Sequence, residues 1–175
     1  AGKTMTFRGE SHTVHELTPD SFKDIQIALF SAGGSISKEF APHAAKAGAI
    51  IIDNTSAFRY EKEIPLVVPE INPQDAFEYG ARRIIANPNC TTIVALLPTF
   101  PLHKAFGLKR AVMSSYQAIS GAGAQAMEEL QQQLRDWAAG RPMQVKIAPK
   151  QIAFNVIPRI DAVQDNGYTK EEMKF

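Results

Sequence analysis

The sequence predicts an α/β fold of the doubly wound kind, and three observations carry that prediction. The run Ile25-Gln26-Ile27-Ala28-Leu29-Phe30 is compact and apolar, as a buried strand is, and it ends in the glycine turn Ser31-Ala32-Gly33-Gly34-Ser35. Ile36, Phe40, Ala44 and Ala47 then recur at helical spacing up to Gly48. Residues 49–52 form a second apolar run, closed by Asp53-Asn54-Thr55-Ser56. Strand, helix and strand within residues 25–52 make a βαβ unit, which implies a parallel sheet covered by helices. The chain can fill such layers: its 175 residues are 45% hydrophobic and 21% charged, so a core forms without a disulfide staple.

The other elements follow from local pattern. Residues 4–7 and 13–17 are short β-like segments around Arg8-Gly9-Glu10, which suggests a hairpin or a strand followed by a loop. Residues 56–65 are polar and irregular, and Leu66-Val67-Val68 gives a short strand before Pro69. Asn72 followed by Pro73 starts a helix, with Asn as cap and Pro in the first turn. Ile84-Ile85 is a further short strand, and Ala86-Asn87-Pro88-Asn89 a turn. From Cys90 to about Phe106 the positions Ile93, Leu96, Leu97 and Phe100 are helical, with a kink expected at Pro98 and Pro101. Residues 108–119 alternate as a strand, with Val112, Ser114, Tyr116 and Ala118 on one face. Ser120-Gly121-Ala122-Gly123 opens a helix with Met127, Leu130, Leu134 and Trp137 on one apolar side as core or interface, ended by Gly140. Pro149 and Pro158 break residues 144–160, Asp165-Asn166-Gly167 is a turn, and Thr169-Lys170-Glu171-Glu172 is a capping box. Lacking an opening strand and stopping inside a helix, the chain reads as an internal segment of a longer protein.

Charge and cysteine content exclude several classes of function. Nineteen basic against eighteen acidic residues give a net charge of +1, with no Lys/Arg run, so neither nucleic acid nor an anionic membrane is an expected partner. The longest apolar runs fall far short of the ~20 residues that span a bilayer. One cysteine excludes an internal disulfide and a multi-thiolate metal site, and fits a reducing compartment such as the cytoplasm. His12, His15, His43 and His103 lie away from the motifs and are read as surface residues, so no metal is expected.

Chemistry concentrates at Cys90, in Asn87-Pro88-Asn89-Cys90-Thr91-Thr92 behind a short strand and at the start of a helix. Free backbone N–H groups and the positive helix end stabilise a thiolate there. A lone intracellular cysteine is also commonly a small buried apolar residue, and placement alone balances the two.

That motif occurs with Ser31-Ala32-Gly33-Gly34, Asp53-Asn54-Thr55-Ser56-Ala57-Phe58-Arg59, Val67-Val68-Pro69-Glu70-Ile71-Asn72 and Ser115-Tyr116-Gln117-Ala118-Ile119-Ser120-Gly121-Ala122-Gly123. Together they closely resemble the aspartate-semialdehyde dehydrogenase family over essentially the whole chain. The Asn-Pro-Asn-Cys form favours it over the related N-acetyl-glutamyl-phosphate reductases, which look more like Asn-Pro-Gly-Cys.

The resemblance implies part of a Rossmann-like NADP-binding domain over residues 1–88, then part of an α+β catalytic and dimerisation domain over 89–175. It implies NADPH-dependent reductive dephosphorylation of aspartyl phosphate to aspartate semialdehyde, in lysine, threonine and methionine biosynthesis, by a homodimer. Cys90 is then the nucleophile and Gln117 orients the intermediate. Arg59 binds the phosphate, Glu171 meets the substrate ammonium and Lys174 the phosphate, while Asn89 beside the nucleophile offers a donor to the phosphate or acyl oxygen or simply forms the turn. NADP(H) falls to Ser31, Ala32 and Gly33, to Asn54 and Ser56 at the next strand end, and to Gly121 and Gly123 on the nicotinamide side. The family's glycine-rich loop is expected before Ala1, and its acid/base histidine and carboxylate-binding arginine after Phe175, so the 175 residues alone are expected to be inactive. Two other readings stand beside this one: another acyl-phosphate reductase, and a non-catalytic paralogue kept as a dimerisation module.

Overall fold

Arg8 and Gly9 both take positive φ, 50° and 84°, and such a two-residue turn matches the twist of the strands it joins. In the computed structural model, which describes residues 1–174, β1 (Thr4–Phe7) therefore pairs antiparallel with β2 (Glu10–Thr13), Phe7 facing Glu10. The returning strand begins at Glu10 rather than at residue 13, because the turn brings the chain straight back.

The βαβ unit forms as its pattern predicts. β3 (Ile27–Phe30), α1 (Gly34–Lys46) and β4 (Ile50–Asp53) follow one another, and β5 (Ile84–Ala86) adds on the far side of β4, giving a parallel sheet of order β3-β4-β5. Phe40, Ala41 and Ala44 of α1 pack on Phe30, Ile51, Ile84 and Ala86 of the sheet, with Phe22, Phe58 and Ile64 completing one apolar core. Only one face is covered so. Ile27 and Leu29 of β3 are exposed, because among the described residues this stretch has one crossover helix, and it lies on the Phe30 face.

Two other short elements are reduced. Leu66 makes a single parallel bridge to Ala86, with Val67 N–H on the Ala86 carbonyl at 2.9 Å, and Pro65 and Pro69 confine it to that. After Asn72 comes one turn of 3-10 helix, Pro73–Phe77. The Asn72 side chain does not cap it through an N–H; its Oδ1 accepts from Val68 N–H at 2.8 Å and its Nδ2 donates to Asp75 Oδ2 at 2.7 Å.

α2 (Cys90–Phe106) keeps Pro98 and Pro101 inside it, and Thr99 between them turns its hydroxyl back on the Ala95 carbonyl at 2.7 Å. The residues divide into two compact units, Ala1–Leu108 and Lys109–Phe175.

The second unit is organised around α3 (Ala124–Ala138), which follows a 3-10 turn at Ile119–Ala122. Residues 107–118 form no strand, and Tyr116 is 90% exposed. Alternation supplies a face, but a strand also needs a backbone ladder, and no described segment pairs with this one. α3 bears on the core half of the core-or-interface expectation for its apolar stripe. Its buried side chains are Ala126, Glu129, Gln133 and Asp136, while Met127, Leu134 and Trp137 of the apolar stripe are exposed. The polar stripe is buried because it holds the loop that follows. Glu129 accepts the N–H groups of Lys146 (2.8 Å), Ile147 and Ala148 (3.2 Å). Gln133 accepts those of Ile152 (3.1 Å) and Ala153 (3.0 Å), and donates to the Gln144 carbonyl at 2.9 Å.

Candidate functional site

The carboxyl edge of the parallel sheet is flush. Phe30, Asp53 and Ala86 stand side by side in register, and the ladder runs one residue further, with Asn54 N–H on the Phe30 carbonyl (2.8 Å) and Asn87 N–H on the Asp53 carbonyl (2.9 Å). Ser31, Asn54 and Asn87 are therefore neighbours just beyond three adjacent strands, where ligands of such sheets sit. Asn87 Nδ2 donates to Asn54 Oδ1 at 2.7 Å, and Asn54 Nδ2 reaches Ser31 Oγ at 3.5 Å.

Arg59 braces this row. Its Nε–H donates to the Asn87 carbonyl at 2.8 Å and its Nη2 to the Asn54 carbonyl at 3.0 Å, so one half-buried guanidinium spans two strand ends. The loop that delivers it is folded by Asp53, which is fully buried. Asp53 Oδ1 accepts from Ser37 Oγ (2.8 Å) and Thr55 N–H (3.2 Å), and Oδ2 from Thr55 Oγ1 (2.9 Å). A carboxylate buried so completely holds its place only with its lone pairs occupied, as here.

Ser31, Ala32 and Gly33 are exposed, and Gly33 is the N-cap of α1 at φ 105°, a conformation that side chains other than hydrogen rarely adopt. No side chain caps α1, so its first N–H groups face outward without a side-chain acceptor. Ser56 is exposed beside this helix start: a Cβ at Gly34 would lie 3.9 Å from its Oγ.

Beyond Asn87 the chain passes Pro88 to Asn89, the N-cap of α2. Asn89 Oδ1 accepts the N–H groups of Thr91 (3.0 Å) and Thr92 (3.3 Å), and this leaves Cys90 exposed as the first helical residue. The sequence reading of a cysteine at a helix start is met, and Asn89 is spent in part on capping it.

In the second unit Gln117 lies over Gly121, its carboxamide occupying the space that a Cβ there would take. Gly123 is the N-cap of α3. Glu171 is buried, and Lys174 Nζ sits 2.7 Å from its Oε2 and 3.8 Å from Asp161 Oδ2. The expected capping box forms beside them, with Thr169 N–H on Glu172 Oε2 (2.7 Å) and Glu172 N–H on Thr169 Oγ1 (3.1 Å). The Thr169 N–H and hydroxyl hold the Glu172 carboxyl below its usual range. The structure thus joins Ser31, Asn54 and Arg59 in one row and pairs Glu171 with Lys174. Sequence reasoning missed Asn87, Asp53, Ser37 and Thr55; the one available signal was an acidic residue ending an apolar strand.

Two family profiles match this chain: the semialdehyde dehydrogenase NAD binding domain over residues 1–79, and the semialdehyde dehydrogenase dimerisation domain over residues 100–175. The chain belongs to the semialdehyde dehydrogenase family. Within it, the chain is 51% identical to aspartate-semialdehyde dehydrogenase of Aquifex aeolicus, over 99% of this chain and 52% of that protein. The enzyme of the same name from Bacillus subtilis is also 51% identical, over 100% of this chain and 52% of that one. The crystal structure of aspartate semialdehyde dehydrogenase II of Vibrio cholerae complexed with ASA superposes with a TM-score of 0.93 at 48% identity, over 99% of this chain and 52% of that one. The chain therefore spans about half the length of the curated relatives it matches. A semialdehyde dehydrogenase NAD-binding part followed by a dimerisation part is the α/β arrangement the sequence predicts. No helix among the described residues is long and apolar enough to cross a membrane.

Proposed function

We propose that the full-length protein reduces L-aspartyl 4-phosphate to L-aspartate 4-semialdehyde, reversibly and with NADPH, as a cytoplasmic homodimer serving lysine, threonine and methionine biosynthesis. One observation carries the reading: Cys90 is an exposed thiol at the first residue of α2, directly beyond a strand-end row suited to a dinucleotide. The uncapped start of α1, with Gly33, and the exposed Ser31, Ala32, Asn54 and Ser56 fit the phosphates and ribose of such a cofactor. Gly121 and Gly123 serve its nicotinamide side. When bound, the cofactor supplies or accepts the hydride.

The chain's own residues do the rest. The Cys90 sulfur attacks the acyl carbon, the bond from that carbon to the phosphate oxygen breaks, and phosphate leaves with its electron pair, giving a thioester. The α2 N-terminus favours the anionic sulfur. Arg59 holds the phosphate with the guanidinium edge it does not spend on the strand ends, and Asn89 beside the nucleophile contributes a donor. Gln117 orients the acyl intermediate, Glu171 binds the substrate ammonium and Lys174 the phosphate. We place the seam between the cofactor-binding and catalytic portions at 88/89, in the stretch that neither family profile covers and ahead of the 108/109 division of the compact units.

The test is phosphate-dependent oxidation of aspartate semialdehyde by the full-length protein. Cys90→Ser is expected to lower that rate about a thousandfold or more while leaving NADPH binding within about twofold. Retained turnover removes Cys90 from the mechanism. A preference for N-acetyl-glutamate semialdehyde would make the protein an N-acetyl-glutamyl-phosphate reductase, and no turnover on either would leave the non-catalytic dimerisation module.

A further inference from the structure

Asn87 enters the site twice, with its side chain and with its backbone, although its sequence context reads as a plain turn. Its Nδ2 donates to Asn54 Oδ1 at 2.7 Å. An asparagine amide has one accepting and one donating end, so a donor placed against Oδ1 obliges Asn54 to turn Nδ2 the other way, towards Ser31 Oγ. The Asn87 carbonyl meanwhile receives Arg59 Nε–H at 2.8 Å, and the same guanidinium holds the Asn54 carbonyl at 3.0 Å. The Asn87 N–H continues the parallel ladder onto Asp53. Only Pro88, with its fixed φ, and the capping residue Asn89 separate Asn87 from Cys90.

We infer that Asn87 is a positioning residue whose carboxamide sets the donor–acceptor orientation of Asn54 towards the dinucleotide, at the point where the strand-end row meets the loop that enters the Cys90 helix. The inference rests on the proposed role of Asn54 at the cofactor. It assigns Asn87 no contact with substrate or cofactor; its effect passes through Asn54.

NADPH binding, followed by fluorescence titration of the full-length protein, tests this without turnover. Asn87→Ala is expected to weaken binding about fivefold, the worth of one hydrogen bond. Asn87→Asp keeps the shape but turns an acceptor on Asn54 Oδ1, forcing that amide over, and is expected to weaken binding about tenfold. In an Asn54→Ala background, Asn87→Ala should change binding by less than about twofold, because the partner through which it acts is gone. A general structural role predicts the opposite, an equal loss in both backgrounds, and that result overturns the inference. So does wild-type affinity in both single variants. Should Asn87→Ala fail to fold, Asn87→Asp alone and in the Asn54→Ala background gives the same comparison. Wild-type protein that binds no NADPH would overturn this inference and the proposed cofactor together, whereas binding with unchanged affinity in the Asn87 variants overturns the inference alone.

Discussion

In the first unit the fully buried side chains include Ile51, Ala44 and Ala86, apolar groups pressed between a helix and a sheet. In the second, α3 turns Glu129, Gln133 and Asp136 inward beside Ala126; Glu129 and Gln133 hold loop backbone, and Asp136 pairs with the Arg141 side chain. One unit is held by excluded water acting on regularly spaced carbon, the other by side chains that hydrogen-bond a neighbouring main chain. Apolar packing is periodic and tolerant of detail, so it can be read from spacing. A carboxylate serving three consecutive N–H groups depends on where a distant loop passes.

The sharpest way to break this contrast is at Ile51, fully buried on the central strand. Ile51→Ala is expected to cost about 3 kcal/mol in chemical denaturation, combining lost transfer energy with a cavity. Equal stability would mean that the sheet is not the core of its unit. Gln133→Met keeps volume but leaves the N–H groups of Ile152 and Ala153 and the Gln144 carbonyl without their partner, at an expected cost of about 2 kcal/mol. Its readout is faster amide exchange at residues 152 and 153 with β3–β5 unchanged; a uniform change in both units would erase the distinction.

The smallest effect is in pH. Burial would raise the Glu129 carboxyl, but the N–H groups of Ile147, Lys146 and Ala148, with the Lys146 charge, outweigh burial and hold it below the ordinary 4.5. The folded value lies under the unfolded one, so this contribution is complete above pH 4.5 and is lost as pH falls through the folded value. Asp136 adds in the same direction, lowered chiefly by its bond with Arg141. Amide protection at residues 146–148 should therefore fall on acidification below 4.5, and Glu129→Gln should flatten that dependence.

These differences explain what was legible. The βαβ unit follows from apolar runs and helical spacing, and Cys90 at a helix start follows from Asn-Pro-Asn before an apolar helix. The stripe Met127, Leu134 and Trp137 is equally periodic, yet Trp137 is 60% exposed and touches Phe154 edge-on at 4.9 Å, because the loop lies on the polar side of α3. A stripe shows that a face is apolar without saying which partner covers it. Ser31, Asn54 and Arg59 are readable singly. Their union with Asn87 depends on strand register across separations of 23 and 33 residues, which local pattern does not carry.

Flush register also decides which length changes the site can absorb. The connection from Asn54 to Ile84 carries Thr55 and Arg59, which fold and brace the row, and Leu66 and Val67, which bond to Ala86, so added length is tolerated only in its exposed stretches away from these residues. A single residue inserted within β5 would instead slide Ala86 into the place of Asn87 and reverse the facing of the side chains that follow the insertion in that strand. For anyone redesigning the protein, three strands of four, four and three residues are the ruler against which the site is set, and Arg59 in the β4–β5 connection is the clamp that has to stay on it.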